Sequence, residues 1–184
     1  GTSNLGDRPI TGRYTEHRVF SDKENIYEYE VQREQIEQYQ QRTTDVVVVQ
    51  TGKEVEVKTY IIMSPTIYGL GSGKVGNRFS IQIPTLVKSA LKRGRAETIG
   101  RGEGVWNYVH IEDLAVLWEL ILLKVLQGTE IREGEKGIYF SETGEFTWRS
   151  LAELVAKAGK ELGTLESTEV AQISLEEAAE KWGG

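Results

Sequence analysis

The stretch IGRGEGVWNYVHIEDLA, residues 99–115, decides the fold because it leads from a strand into the most regular helix of the sequence. We predict this helix from Ile111 to about Leu126. Its apolar residues recur at intervals of three and four, the spacing of one helix face; they are Leu114, Trp118, Leu122 and Val125. Glu112 and Asp113 lie in the first turn, where the helix dipole favours negative charge. The stretch therefore predicts a strand-to-helix junction.

The rest of the chain alternates in the same way. Strands are predicted over 57–63, 96–99 and 137–140, and helices over 27–50, 78–92, 148–159 and from 174 onward. Val46–Val49 fit either the end of the long polar helix or a strand. Alternation of strands and helices predicts an α/β fold. Three or four strands are too few for a complete doubly wound sheet.

Two helices carry capping signals at their first residues. Thr147 is a predicted N-cap, and Ser174 with Glu177 forms a capping-box pattern. Gly183 and Gly184 are expected to end the last helix.

Composition excludes several classes of protein. The 184 residues are 39% hydrophobic and 27% charged with a net charge of -6, which argues against a nucleic-acid-binding face. There are no cysteines, and His17 and His110 are the only histidines, so we expect no metal site. No apolar run approaches the ~18–20 residues needed to cross a bilayer. No signal peptide opens the chain, and we expect a cytoplasmic protein without membrane contact.

Two stretches resemble motifs of the extended and atypical short-chain dehydrogenases/reductases, in the NAD(P)-dependent epimerase/dehydratase family that includes fungal members. YIIMSPTIYGLG, residues 60–71, resembles the segment (L/I)RPxxVYGPG that follows the sixth strand. Residues 99–115 resemble GDGxxxRDFVHVDDLA, and the order and spacing of the two agree with the family. Residues 137–140 and 147–151 resemble its later strand and T-x-x-E-L helix.

The resemblance covers roughly residues 1–159 and implies a C-terminal portion of such a protein. It predicts the later strands of a partial Rossmann-type parallel sheet with a small helical substrate-binding lobe. Residues 1–75 would belong to the sheet, and 76–184 to the lobe with the last strands interleaved.

The family's catalytic residues are Tyr-x-x-x-Lys and an upstream serine or threonine, and the lysine lowers the pKa of the tyrosine. Counted back from the strand at Tyr60, the lysine position falls at Arg42. The tyrosine position is then Gln38. Tyr39 stands beside it, but its spacing to Arg42 is one residue shorter than the family's Tyr-x-x-x-Lys spacing. Thr2 and Ser3 stand near the position of the family's hydroxyl residue.

The predicted catalytic residues are Thr2, Ser3, Tyr39 and Arg42. Tyr27 and Tyr29 are alternatives for the tyrosine, and Tyr39 also fits a half-buried helix aromatic.

The family places ligands at the strand end after residue 63. The resemblance implies Pro65 and Thr66 for the cofactor, and Tyr68, Trp106 and His110 for the substrate. For His110 the sequence favours a structural hydrogen-bonding role over contact with a ligand. Sugar-nucleotide epimerases carry an arginine where this chain has Trp106, and Met63 replaces the arginine of the R-P pair. We therefore expect a small substrate that is less charged than a nucleotide-sugar diphosphate.

Dinucleotide binding in this fold needs a glycine-rich turn between a first strand and its helix. The run 69–74 contains three glycines and Lys74 but lacks that spacing, and it stands where the family has a substrate loop. NAD or NADP would thus be bound by the intact parent protein, and this chain alone would be inactive.

The sequence therefore predicts a portion of an NAD(P)-dependent oxidoreductase or epimerase-like protein that acts on a small molecule. The alternative is a non-catalytic dinucleotide-sensing or protein-interaction module on the same fold. A homodimer through the helix Tyr27–Arg42 is a further expectation.

Overall fold

A computed structural model describes residues 1–6 and 18–182, with side chains up to residue 180. The helices are α1 (Ile26–Ile36), α2 (Gln40–Glu54), α3 (Gln82–Arg93), α4 (Ile111–Leu126), α5 (Trp148–Glu161) and α6 (Leu175–Trp182). The strands are β1 (Ile61–Met63), β2 (Thr66–Tyr68), β3 (Ala96–Ile99), β4 (Val105–His110), β5 (Ile138–Phe140), β6 (Gly144–Thr147) and β7 (Val170–Ile173). His17 and the predicted terminators Gly183 and Gly184 lie outside the described residues.

The α/β class is confirmed, and parallel pairing predominates among the described strands. β1 pairs with β5 and β3 with β7, both in parallel. β2 is parallel to β4, which is antiparallel to β6. The described residues contain seven strands where the sequence pattern predicts three or four, because β2, β6 and β7 have only three or four residues and show no readable periodicity.

The chain divides into two compact units. The first contains residues 1–65 and 112–142, and the second contains residues 66–111 and 143–184. The predicted division into 1–75 and 76–184 concerns function and stays a prediction; by packing, the chain leaves the first unit at Pro65.

Each unit has its own apolar core. In the first unit, Leu5, Ile26, Met63 and Ile138 are buried beside partly buried aromatic residues. In the second unit the core residues are mostly small; they are Ala90, Ala96, Ala152, Ala156 and Leu165.

The prediction of one long helix over residues 27–50 is wrong in one respect, because the structure has two helices there. α1 ends at Ile36, and Glu37 and Tyr39 have extended backbone before α2 begins. The Glu34 carboxylate accepts hydrogen bonds from the Tyr39 amide (3.1 Å) and from Nε of Arg42 (3.0 Å), so side-chain contacts replace helical ones at the break. The strand alternative for Val46–Val49 is wrong, since these residues are helical.

Other boundaries differ by a few residues. The strand predicted over 57–63 begins only at Ile61, because Val57 is 59% exposed and has no neighbouring strand. The helix predicted over 78–92 begins at Gln82 and ends before Gly94, whose φ of 72° gives a left-handed cap.

Short-range signals are confirmed. The Thr147 and Ser150 side chains cap each other's backbone amides at the start of α5. The pair Ser174 and Glu177 does the same for α6. β3 and α4 have the predicted bounds.

Helix α4 is more exposed than its pattern predicts. Leu114 and Ile121 are buried, but Trp118 is 55% exposed and Leu122 56%. Only one edge of the apolar stripe is therefore covered. No helix within residues 1–6 and 18–182 has both the length and the apolar character to cross a membrane.

Candidate active site

Two hydroxyl groups meet in the first unit. Ser3 lies in a 3-10 turn, Thr2–Asn4, and the Thr2 amide donates to the Ser64 carbonyl (3.2 Å) just after β1. The Tyr39 hydroxyl, at the start of α2, donates to Oγ of Ser3 at 3.2 Å. Ser3 in turn donates to Oε1 of Gln41 at 2.6 Å. The structure thus brings Ser3 and Tyr39 into contact across 36 positions of sequence.

Arg42 lies beside this pair, with its guanidinium 5.8 Å from the centre of the Tyr39 ring. The side chain is 1% exposed. Its Nε donates to Glu34, Nη1 to the Asn4 carbonyl at 2.9 Å, and Nη2 to the Glu37 carbonyl. Because all three nitrogens are engaged, the contacts favour a structural anchor, and a catalytic role for Arg42 stays a prediction.

The alternative tyrosines occupy a different environment. Tyr27 and Tyr29 pack against the apolar core of the first unit. The Tyr29 ring also contacts Phe20, with ring centres 4.9 Å apart, and its hydroxyl accepts from Arg33. These contacts favour Tyr39 as the partner of Ser3.

A polar cluster, which we call the Asn4 cluster, follows Ser3 directly; it consists of Asn4 and Glu30, which are buried, and Asp45, which is partly buried. Nδ2 of Asn4 donates to Oε1 of Glu30 (2.9 Å) and to Oδ2 of Asp45 (2.6 Å). Burial, and then the charge of Asp45, raise the pKa of Glu30 to about 7. Burial also raises the pKa of Asp45. Sequence reasoning misses this cluster because Glu30 lies in a polar stretch that has the composition of a solvated helix.

The second unit contains the predicted substrate residues. Tyr68 of β2 lies opposite His110 of β4, and their ring centres are 5.0 Å apart. This parallel pairing brings the two motif stretches together. Gly69 permits the contact: its φ is 97°, and a Cβ there would lie 2.4 Å from Nε2 of His110.

Aromatic rings continue across the same face of the sheet. Trp106 of β4 lies opposite Phe146 of β6, and the Trp148 ring contacts both. We call this set the aromatic face; it consists of Tyr68, Trp106, Tyr108, His110, Phe146 and Trp148. Gly144 lies under Tyr108, where a Cβ would come within 2.4 Å of the phenol oxygen. Phe146 and Trp148 are not apparent from sequence because β6 is too short to show alternation.

The residues predicted to hold the cofactor are covered. Pro65 and Thr66 are buried, and the Thr66 hydroxyl donates to Oε1 of Gln82 at 3.0 Å. Their cofactor role stays a prediction. Met63 is fully buried in the apolar core, so its replacement of the family's arginine says nothing about the ligand.

The glycine-rich loop that follows β2 does not fit a dinucleotide phosphate. The Gly71 amide donates to the Arg78 carbonyl (2.8 Å), and Nε of Arg78 donates to the Gly71 carbonyl (2.6 Å). α3 begins only at Gln82, whereas a phosphate turn leads straight into a helix N-terminus. In the described part of the chain, no three His, Cys, Asp or Glu side chains are grouped to hold a metal ion.

Comparison with known proteins yields two kinds of relative, while no protein-family model matches the chain. It is 29% identical over 131 residues to the oxidase ucsJ of an Acremonium species, which covers 67% of this chain and 37% of that protein. It resembles the NAD-bound dTDP-glucose 4,6-dehydratase DesIV of Streptomyces venezuelae, with a TM-score of 0.48 and 22% identity over 76% of this chain and 42% of DesIV.

A further structural neighbour is the UDP-glucose 4-epimerase of Thermotoga maritima, with a TM-score of 0.42 and 18% identity over 77% of this chain and 45% of the epimerase. The chain spans less than half the length of each of these proteins. The two structural neighbours named here are a dehydratase and an epimerase.

Proposed function

We propose that the chain is a portion of an NAD(P)-dependent oxidoreductase or epimerase-like protein that acts on a small molecule. In this proposal Ser3 and Tyr39 exchange a proton with a substrate oxygen. The observation that carries it is the 3.2 Å hydrogen bond between the two hydroxyls, formed by residues from separate elements.

The chemistry of the pair follows from its hydrogen bonds. A bound NAD(P) would donate or accept the hydride. Ser3 gives its own proton to Gln41, so its oxygen is free to accept from Tyr39 and to orient that hydroxyl. To act on a carbonyl, Tyr39 would turn its proton from Ser3 to the carbonyl oxygen and become a phenolate; in the reverse direction that phenolate would take the proton of the alcohol. General acid–base catalysis of this kind contributes about 10²–10⁴-fold in rate.

A separate part of the proposal assigns ligand binding to the aromatic face, taken by itself within the second unit. Tyr68 is 36% exposed, and Trp106 stands where the family's arginine binds a diphosphate. Aromatic rings favour apolar or planar groups over a phosphate dianion. The proposed substrate is accordingly smaller or less charged than a nucleotide sugar.

Helix α4 supports the view that this chain works with a further part of protein structure. Val116, Leu120 and Leu123 are 53%, 50% and 43% exposed on the side away from Leu114, and Trp118 and Leu122 are exposed as well. A helix that is apolar on most of its surface is normally covered by other elements. A dinucleotide-binding half is the covering element that we propose.

Two measurements test the proposal. Calorimetry on this chain with NADH and with NADPH should show no micromolar binding, since the glycine loop offers no phosphate cradle. A polypeptide that joins this chain to a dinucleotide-binding half should catalyse hydride exchange with a panel of carbonyl compounds.

Variants of that polypeptide separate the tyrosines. Tyr39→Phe and Ser3→Ala should each lower turnover by about 10²-fold or more. Tyr27→Phe is the matched control, because it removes the same atom from another tyrosine and should leave turnover near the parent value. Turnover that survives Tyr39→Phe and is lost in Tyr27→Phe would move the site to Tyr27.

A second candidate function is a dinucleotide-sensing module without catalysis. The three engaged nitrogens of Arg42 favour it, because these contacts hold the guanidinium at the position of the family's lysine in a structural role. Tight cofactor binding by the joined polypeptide, together with no hydride exchange, would identify the sensing module.

The homodimer and the cytoplasmic location stay predictions. Ile36 is 68% exposed at the end of α1 and is the natural position to probe the dimer. Ile36→Lys should shift sedimentation toward the monomer if residues 27–42 form the contact, and should leave it unchanged otherwise.

A further inference from the structure

The position of Ser3 depends on the residue that follows it. Asn4 is completely buried, and both of its side-chain hydrogen bonds go to carboxyl groups, those of Glu30 on α1 and Asp45 on α2. The Asn4 carbonyl accepts from Nη1 of Arg33 (3.4 Å) and of Arg42 (2.9 Å). The end of the Thr2–Asn4 turn is thus held through both its side chain and its backbone.

The two carboxyl groups share one donor, because Oε1 of Glu30 (2.9 Å) and Oδ2 of Asp45 (2.6 Å) both accept from Nδ2 of Asn4. Glu30 is fully buried, and Asp45 is partly buried. Two ionised carboxylates in such a site repel each other, so one of them retains a proton up to about neutral pH. The charged groups nearby are Arg42 from α2, Arg33 from α1 and the amino group of Gly1. The guanidiniums are directed at the Asn4 carbonyl, so they compensate the pair only in part.

We propose that Asn4 is a positioning residue, which holds Ser3 against Tyr39 as long as the Glu30–Asp45 pair retains one proton. The proposal rests on the proposed function, which assigns the Ser3–Tyr39 pair to proton exchange. It adds that the geometry of the Ser3–Tyr39 pair is coupled to the ionisation of Glu30, a buried group with no hydrogen bond to either hydroxyl.

The coupling has a defined direction. Below neutral pH the pair carries one negative charge, and the Asn4 amide satisfies it. As the pH rises through about 7, the pKa of Glu30, a second negative charge appears in the same enclosure. The two carboxylates then separate and draw the Asn4 side chain with them, which alters the contact between Ser3 and Tyr39.

Nuclear magnetic resonance on the chain itself tests this coupling. The Ser3 backbone amide and the Tyr39 ring resonances, followed from pH 4.5 to 9, should shift with one common midpoint near 7. Glu30→Gln should abolish that midpoint, because the neutral amide reproduces the protonated carboxyl. Glu54→Gln is the matched control: it makes the same charge change at an exposed position of α2 and should keep the midpoint.

Two results would overturn the proposal: resonances of Ser3 and Tyr39 that do not titrate together, or a midpoint that persists in Glu30→Gln. Asn4→Ala should remove the coupled shift at Tyr39 while Glu30 still titrates; a coupled shift that persists in this variant also counts against the proposal. If Asn4→Ala does not fold, the Glu30→Gln comparison decides. No cofactor is used, so absence of hydride exchange in the joined polypeptide would refute the proposed function and leave this coupling intact.

Discussion

The interiors of the two units are built on different principles. In the first unit the buried residues include Asn4, Glu30, Arg33 and Arg42, which are held by hydrogen bonds of defined direction. In the second unit the buried core is Ala90, Ala96, Ala152, Ala156 and Leu165, which pack without direction. This contrast assigns a response to pH to the first unit, because a polar interior can respond to protons and an alanine-rich interior cannot.

The two interiors should also fail differently. A buried polar network is sensitive to loss of one partner, because the remaining partners stay desolvated and unpaired. A small apolar core loses only the transfer and packing energy of the atoms removed.

The largest effect is expected for Arg42→Met. The substitution leaves the Asn4 and Glu37 carbonyls without their donor and the Glu34 carboxylate without its cation. Breaking a buried pair on one side costs about 3–5 kcal/mol of unfolding free energy, measurable by urea denaturation. Arg42→Lys keeps the charge and should lose less. Unchanged stability in Arg42→Met would show that the buried polar contacts of Arg42 do not stabilise the first unit.

The pH dependence of stability comes next. Glu30 has a pKa of about 7 in the folded state against 4.5 unfolded, so the folded state holds the proton more tightly. The contribution of Glu30 to the free energy of unfolding is fully present below pH 4.5 and declines as the pH rises to about 7. The decline amounts to about 3 kcal/mol, and the raised pKa of Asp45 adds in the same direction.

Thermal unfolding in a pH series measures this decline. Glu30→Gln should flatten it and should be more stable than the parent at pH 8, whereas Glu54→Gln should keep the parent's slope. The assignment to Glu30 would be contradicted if the parent became more stable between pH 4.5 and 7. It would also be contradicted if Glu30→Gln kept the parent's slope.

Leu165→Ala tests the apolar core of the second unit. Leu165 is 4% exposed and packs over Gly159 at the end of α5. The substitution should cost about 2–3 kcal/mol in denaturant unfolding, with no pH dependence of its own. Leu154→Ala removes the same atoms at a position that is 64% exposed and should change stability by less than about 0.5 kcal/mol. Equal costs for the two variants would show that the alanine-rich core is not a stabilising unit.

The smallest effect is expected at the cap of α5. Thr147→Ala removes the hydroxyl that accepts from the Ser150 amide at 3.0 Å. Loss of an N-cap typically costs about 1 kcal/mol, which circular dichroism during thermal unfolding can resolve. Thr147→Ser keeps the cap and should restore most of the loss; failure of that rescue would point to packing of the threonine methyl.

Local signals predicted local structure well. The bounds of α4 and β3 and the caps of α5 and α6 agree with the sequence, because each depends on residues within a few positions of one another. The break between α1 and α2 could not be predicted, since residues 37–39 contain neither glycine nor proline. It arises because Glu34 and Arg42 bond across it.

Part of the candidate site could be predicted from the family resemblance. Ser3, Tyr39 and Arg42 follow from the resemblance, and the structure brings them together. Asn4, Glu30 and Asp45 carry no signal, because a glutamate in a polar helix is ordinarily solvated and only tertiary packing encloses this one.

The sequence by itself determined the alternation of strands and helices, the strand-to-helix junction at His110 and the resemblance to the epimerase and dehydratase group. These depend on periodicity and short spacing, which a linear chain displays. The tertiary structure decided which hydroxyls meet, and that the Glu30 carboxyl loses contact with water. Both require residues some 26 to 41 positions apart to come within hydrogen-bonding distance, and burial then sets their ionisation.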